Sequence, residues 1–250
     1  MNGGYAQETK RFGYGIVATL PLLLLYEYGI WQGALGNALN GADALLRIAL
    51  AYIAGFFGLQ YGTWLMAGVV GILAVSFLVY LKRQRVKITP RYVLGMFLEA
   101  AVTGIVLAIL VHLMLSRSLP RFFTFTPNPG VVQQLAIQGL DSAWARIVAA
   151  VGAGIFEELL FRVLLLAILY RLWAKPGSAL GDDTATTTRA VLVSSVLFTL
   201  LHFGSVGVGG LISIFASSLL LSGLYVARGY GMVALSHTAY DLYLMFGIVA

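Results

Sequence analysis

Long apolar runs, each close to the ~20 residues that cross a bilayer core of about 30 Å, alternate along this chain with short polar connections. Spanning helices are predicted at 13–31, 62–81, 91–115, 142–173, 186–206, 210–227 and 231–249. The segment from Ala42 to Gly58 is apolar too, but it carries Asp43 and Arg47. It is therefore left uncounted, as a re-entrant or interfacial helix. The expected fold is all-α, a polytopic transmembrane bundle of about seven spans plus that one helix. Residues 1–250 are expected to form a single membrane domain.

Composition agrees with the pattern. Of 250 residues, 60% are hydrophobic and 10% charged, against roughly 25% charged in a soluble domain, so the lipid bilayer is the expected surrounding partner. The formal charge of +6 sits mainly in short loops between apolar runs, which fits topology and excludes a nucleic-acid face. Cysteine is absent, which rules out thiolate chemistry and disulfides. Lys10 and Arg11 precede the apolar run from Ile16 to Leu25, as in a secretory signal. The residues that follow, Tyr26, Glu27, Tyr28 and Trp31, read instead as the interfacial exit of a retained first span.

Basic residues orient the bundle. Lys10 and Arg11, the loop with Lys82, Arg83, Arg85 and Lys87, and then Arg171 with Lys175, Arg189 and Arg228 fall on one side if the spans alternate as predicted. That side is expected to be cytoplasmic, with the N-terminus on it, in a multi-pass protein of the plasma or inner membrane. The loop from Ser116 to Asp141 then lies outside. Its Pro120, Pro127, Asn128, Pro129 and Gly130 mark irregular backbone, and its Arg117 and Arg121 run against the charge rule.

Chemistry is concentrated in the few ionisable groups at bilayer depth, each costing about 2.5 to 3.5 kcal/mol on insertion scales. The fourth span carries Glu157, Glu158 and Arg162 in the run Glu157-Glu158-Leu159-Leu160-Phe161-Arg162. Glu158 and Arg162, four apart in acid-before-base order, share a helix face and can pair. They read as a structural knot. Glu157 is rotated about 100° from that face, and a carboxyl without that partner is the better candidate for proton transfer. His202 follows in Phe198-Thr199-Leu200-Leu201-His202, and His237 with Asp241 in His237-Thr238-Ala239-Tyr240-Asp241. Glu99 is expected to line a cavity or pair with a base, and Glu27 and His112 to lie near the outer interface.

Depth ties these groups together. Glu158 lies thirteen residues from Arg171, His202 thirteen from Arg189 and Asp241 thirteen from Arg228, about 20 Å in each case at helical rise. Three helices thus bring carboxylates and imidazoles to nearly one level. Gly204, Gly207, Gly209 and Gly210 follow His202 and predict a loosened backbone, tolerated at depth only against protein or a wet cavity. Hydrolysis needs such a cavity.

At these residues the sequence resembles the CAAX protease and bacteriocin-processing (Abi) membrane proteins, which include the type II prenyl-protein endopeptidases. Their signature is Glu-Glu-x-x-x-Arg, then Phe-x-x-x-His, then His-x-x-x-Asn or Asp. Glu157, Glu158 and Arg162 match the first, Phe198 and His202 the second, His237 and Asp241 the third. The likeness covers residues 140–250, the expected catalytic core. It implies an intramembrane endopeptidase acting on a membrane-anchored or lipidated CAAX-type protein or peptide. Glu157 with His202 would activate a water, Glu158 and Arg162 would hold the helix and position Glu157, and His237 with residue 241 would stabilise the oxyanion. The prenyl endopeptidases carry Asn where this chain has Asp241, and an ionised carboxylate cannot donate to an oxyanion. Asp241 then either orients His237 or is itself protonated.

No cofactor is required by these residues. Zinc is the alternative, with Glu157, His202, His237 and Asp241 as ligands around an open position. Two further readings differ in class: a non-proteolytic scaffold or bacteriocin-immunity protein of the same family, and a proton-coupled transporter. Transport predicts repeated halves or paired broken helices, which the sequence does not show. Glu157, without a place in the Glu158–Arg162 pair, favours the protease.

Overall fold

A computed structural model of the chain describes residues 4–35, 41–56, 58, 87–118, 142–203 and 206–248, with Val75, Val79 and Lys82 as separate helical positions. Among the described residues all regular structure is helical, apart from a single bridge between Phe203 and Val206. The predicted span 62–81 apart from Val75 and Val79, the basic residues Arg83 and Arg85, and residues 119–141 lie outside them.

The helices are α1 (Tyr5–Thr9), α2 (Phe12–Trp31), α3 (Gly41–Phe56) and α4 (Pro90–Ser118). Next comes a continuous rod made of α5 (Ala143–Gly152), two π-helical stretches, π1 (Ala153–Glu157) and π2 (Leu159–Leu165), and α6 (Leu166–Trp173). After it come α7 (Thr184–Leu200) and α8 (Val208–Met245). Among the described residues, α2, α4 and α8 are long and apolar enough to cross a bilayer. The protein is an all-α polytopic membrane protein.

Its faces follow from lipid as the solvent. On α4, Leu94, Leu98 and Val102 recur every turn and stand more than 60% exposed, while Met96, Ala100, Leu107 and Val111 on the other side are buried. Hydrocarbon on the outside leaves the interior free for polar groups, and Glu158, Arg162 and His237 are all buried.

Two expected spans, 210–227 and 231–249, appear as the halves of α8. The break is Gly229, at φ 77° and ψ −177°, a region that only glycine enters freely. A Cβ there would also stand 2.5 Å from the Lys10 carbonyl oxygen. The second half is the centre of the molecule, with residues 229–238 buried without interruption. Glycines on three other helices let backbone approach it. A Cβ on Gly15 would lie 2.8 Å from Gly231 N, one on Gly104 2.9 Å from Tyr240 N, and one on Gly154 2.7 Å from Ala234 O. Small residues at helix crossings serve this purpose in membranes, where apolar surface alone gives helices no reason to associate.

One end of the bundle gathers basic residues. Arg228 bonds Glu99 at 2.9 Å and Thr9 at 3.2 Å, Tyr5 donates to Glu99 at 2.8 Å, and the Tyr14 hydroxyl donates to the Lys87 carbonyl at 2.9 Å. Burial and the Glu99 carboxylate push the Tyr5 phenol up to about 12. Glu99 does pair with a base. Ala174, Leu180 and Val226 pack against the cluster of Leu166, Tyr170 and Ala190 at the same end, and Asp183 caps α7 there, accepting from Ala185 N at 3.0 Å and Thr186 Oγ1 at 2.5 Å. At the opposite end, Tyr28 packs on Trp31 and Trp144, and Arg146 lies over Phe246.

Candidate active site

The rod carrying Glu157 and Glu158 is not the regular α-helix that the sequence reading assumes. Its winding loosens to π from Ala153 to Glu157 and again from Leu159 to Leu165. Such bulges concentrate at functional sites because they re-aim side chains within a continuous helix. Part of the compensation is visible: Ser194 on α7 donates its hydroxyl to the Phe161 carbonyl at 3.0 Å.

Glu158 and Arg162 pair as expected, with Nε to Oε2 at 3.2 Å and both side chains fully buried. Arg162 also reaches Ser218 Oγ at 3.0 Å and lies over the Phe198 ring, 4.7 Å from its centroid. Glu158 has a second partner that the spacing did not reveal. Its other oxygen, Oε1, meets His237 Nδ1 at 2.7 Å. A carboxylate can serve two donors at once, so Glu158 joins the π-helical rod to α8 through the imidazole.

That bond decides how His237 is used. With the Nδ1 proton directed at Glu158, Nε2 is the nitrogen turned to the rest of the cluster. It stands 3.9 Å from Glu157 Oε2 and 3.6 Å from Asp241 Oδ2. Three carboxylates from two elements therefore surround one imidazole that is 5% exposed.

His202 lies just beyond its helix, because α7 ends at Leu200 and not at the predicted residue 206. A turn carries it, with His202 N on Thr199 O at 3.0 Å and Phe203 N on Leu200 O at 3.1 Å. The loosening predicted after His202 thus begins at the histidine itself. His202 Nδ1 lies 3.0 Å from the Phe198 carbonyl. A carbonyl only accepts, so Nδ1 carries a proton in this arrangement. The Phe198 ring packs on the His202 ring at 4.9 Å and on Phe161 edge-on at 4.9 Å. Phe198 thereby links His202 to Arg162, and Arg162 links it to Glu158, which holds His237.

The structure thus brings Glu157, Glu158 and Asp241 around the His237 imidazole, and ties His202 to them through Phe198 and Arg162. Metal coordination fits these side chains poorly. Among the described residues, no three or more His, Asp and Glu side chains converge with the geometry to hold an ion.

Comparison with known families agrees with this geometry. Residues 139–243 match the family model described as type II CAAX prenyl endopeptidase Rce1-like. No curated protein and no solved structure matches the chain. The matched residues begin just before α5 and close two residues past Asp241, so they contain every residue of the cluster. A buried Glu/His cluster inside a Rce1-like domain supports a glutamate- and histidine-based intramembrane protease mechanism.

Proposed function

We propose that the protein is an intramembrane endopeptidase that cleaves a membrane-anchored or lipidated CAAX-type protein or peptide. Residues 140–250 would form the catalytic core of one membrane domain spanning 1–250. The observation that carries the reading is His237, held at Nδ1 by Glu158 and facing Glu157 and Asp241 with Nε2.

Glu157, with His202 Nε2 as its partner, removes a proton from water while the water oxygen bonds to the scissile carbonyl carbon. The carbonyl oxygen becomes an oxyanion. In its doubly protonated form His237 offers Nε2–H to that oxygen, with Glu158 and Asp241 offsetting the imidazole charge. Collapse re-forms the carbonyl and breaks the C–N bond, and the proton taken by Glu157 goes to the leaving amine. Asp241, unlike Asn, acts here by orienting His237 and not as an oxyanion donor.

About seven spans, with α3 interfacial or re-entrant and the basic end cytoplasmic, would let a lipid chain enter between helices while its peptide meets the cluster. The test is cleavage of a farnesylated, internally quenched CAAX peptide by purified protein. Glu157→Ala and His202→Ala are expected to abolish cleavage with expression unchanged, and a chelator is expected to leave the wild type active. Full activity in both variants rejects the assignment. Loss of wild-type activity in chelator replaces the water-base chemistry with metal chemistry.

A further inference from the structure

The N-terminal third lies outside the matched residues 139–243, yet it carries a second buried polar network. Asp43 on α3 is 1% exposed. Its Oδ2 accepts from Tyr26 of α2 at 2.7 Å, and Arg47 Nε reaches both of its oxygens at 2.8 Å. Arg47 continues to Glu27 at 2.6 Å. A buried carboxylate is weak evidence for stability, since apolar packing does as well. What it supplies here is a fixed direction for one phenol.

That phenol rests on the back of the catalytic rod. Tyr26 is fully buried, and its ring lies 5.1 Å from Phe156, the residue before Glu157. Its edge occupies the space where a side chain at residue 152 would otherwise stand, so Gly152 is required at the point where the π winding begins. Helix α3 itself packs against π1. The ring is thus pinned at three places: by Gly152 beneath, by Phe156 beside it and by Asp43 at the hydroxyl. A π turn is a poorer winding than an α turn and takes its register from what packs on it. The direction of Glu157 follows from that register.

We propose that Tyr26 and Asp43 are positioning residues for Glu157, setting from outside the Rce1-like domain the π turn that aims its carboxylate. The proposal rests on Glu157 as the base. Misplacing a reacting group by about 1 Å can cost on the order of 10²-fold in rate, so loss of a single hydroxyl has a measurable effect without unfolding the protein.

The experiment measures kcat and KM on the farnesylated quenched peptide for Tyr26→Phe, Asp43→Ala, Asp43→Asn and Phe156→Leu, with Glu157→Ala alongside. Each kcat is normalised to monodisperse, folded protein. Tyr26→Phe keeps the ring and is expected to lower kcat about tenfold or more, with KM within about twofold and an unchanged unfolding midpoint. Asp43→Asn keeps an oxygen for the Tyr26 hydroxyl and is expected to retain most of the activity that Asp43→Ala loses. If Asp43→Ala does not fold, Phe156→Leu, which leaves the polar network whole, is expected to reproduce the kcat loss of Tyr26→Phe. Wild-type kcat in Tyr26→Phe overturns the proposal, as does a loss that Asp43→Asn shares in full with Asp43→Ala. An active Glu157→Ala, by contrast, would remove the base itself, whatever the other variants do.

Discussion

His237 is the residue on which the site turns, and Glu158 is what turns it. Glu158 serves Arg162 with one oxygen and His237 with the other. Glu158→Gln keeps a shape that can accept from Nδ1 but leaves Arg162 a buried cation without its counter-charge. Breaking such a pair costs about 3–5 kcal/mol, so the variant is expected to lose both thermal stability and at least ~10²-fold in kcat. Asp241→Asn is expected to behave differently, since an amide there can still orient His237 and can donate to an oxyanion. Cleavage within about tenfold of wild type, with the unfolding midpoint preserved, is the outcome to check by parallel melting and peptide assays. The contrast also marks what was legible in the sequence. Glu157, Glu158, Arg162, His202, His237 and Asp241 stand out as ionisable groups at bilayer depth, Phe198 enters only through the family resemblance, and spacing predicts the Glu158–Arg162 pair. The Glu158–His237 bond was not legible, because an i,i+4 partner was already at hand and spacing says nothing about the second lone-pair edge of a carboxylate. Tyr26 read only as an interfacial aromatic, although its ring is fully buried.

At the level of helices, the site depends on close backbone approach between π1 and the second half of α8. Gly154 is the contact: a methyl group there would stand 2.7 Å from Ala234 O and 2.8 Å from Thr238 N, with backbone on the far side that cannot rotate away. Gly154→Ala is therefore expected to cost about 1–3 kcal/mol, the usual penalty of overpacking, and to remove most activity by drawing Glu157 and Glu158 away from His237. Gly223→Ala, on the same α8 but with nothing within 4 Å of the added carbon, should be neutral or stabilising by about 0.5–1 kcal/mol. Equal effects from the two in a melting assay would rule out the steric account. Capping gives a pH-dependent case. The Thr186 hydroxyl, with the Ala185 and Thr186 amides, holds the Asp183 carboxyl below its ordinary range. Its contribution is then complete above the unfolded carboxyl's pKa and is lost as pH falls through the lower folded value. Asp183→Ala is expected to lower the melting midpoint at neutral pH, and the difference from wild type should shrink toward strongly acid pH. Helix boundaries were legible within a few residues for α2, α4 and the Ala143–Trp173 rod. The π winding was not, since apolar periodicity over so few residues does not separate it from α. The early end of α7 was signalled only by the glycines beyond it.

For the molecule as a whole, sidedness is the property that the helix pairing makes testable. Because α2 runs from Phe12 to Trp31 and α5 starts beside Trp31, with Tyr28 against Trp144, the two are antiparallel and the rod ends near the level where α2 begins. The second half of α8 leaves Gly229 beside Lys10 and reaches Met245 in the cluster that holds Tyr26 and Leu35. Lys10, Lys175 and Arg228 therefore belong to one end, and Trp31 and Phe246 to the other. The alternation of basic loops predicted that grouping, and it requires an even number of crossings between Lys10 and Lys87, whose carbonyl bonds Tyr14 near the start of α2. The excess of Lys and Arg makes that end the one expected on the cytoplasmic side. Since the chain contains no cysteine, single introduced cysteines report without background. In intact cells a membrane-impermeant maleimide is expected to label Trp31→Cys and to spare Lys10→Cys and Lys175→Cys, and both of the latter should react once the membrane is opened. Labelling of Lys10→Cys and Lys175→Cys in intact cells, with Trp31→Cys spared, would invert the topology while leaving the cluster and its chemistry as they are. Labelling of Lys10→Cys without Lys175→Cys would break the helix pairing itself, and with it the approach of π1 to α8 on which the site depends.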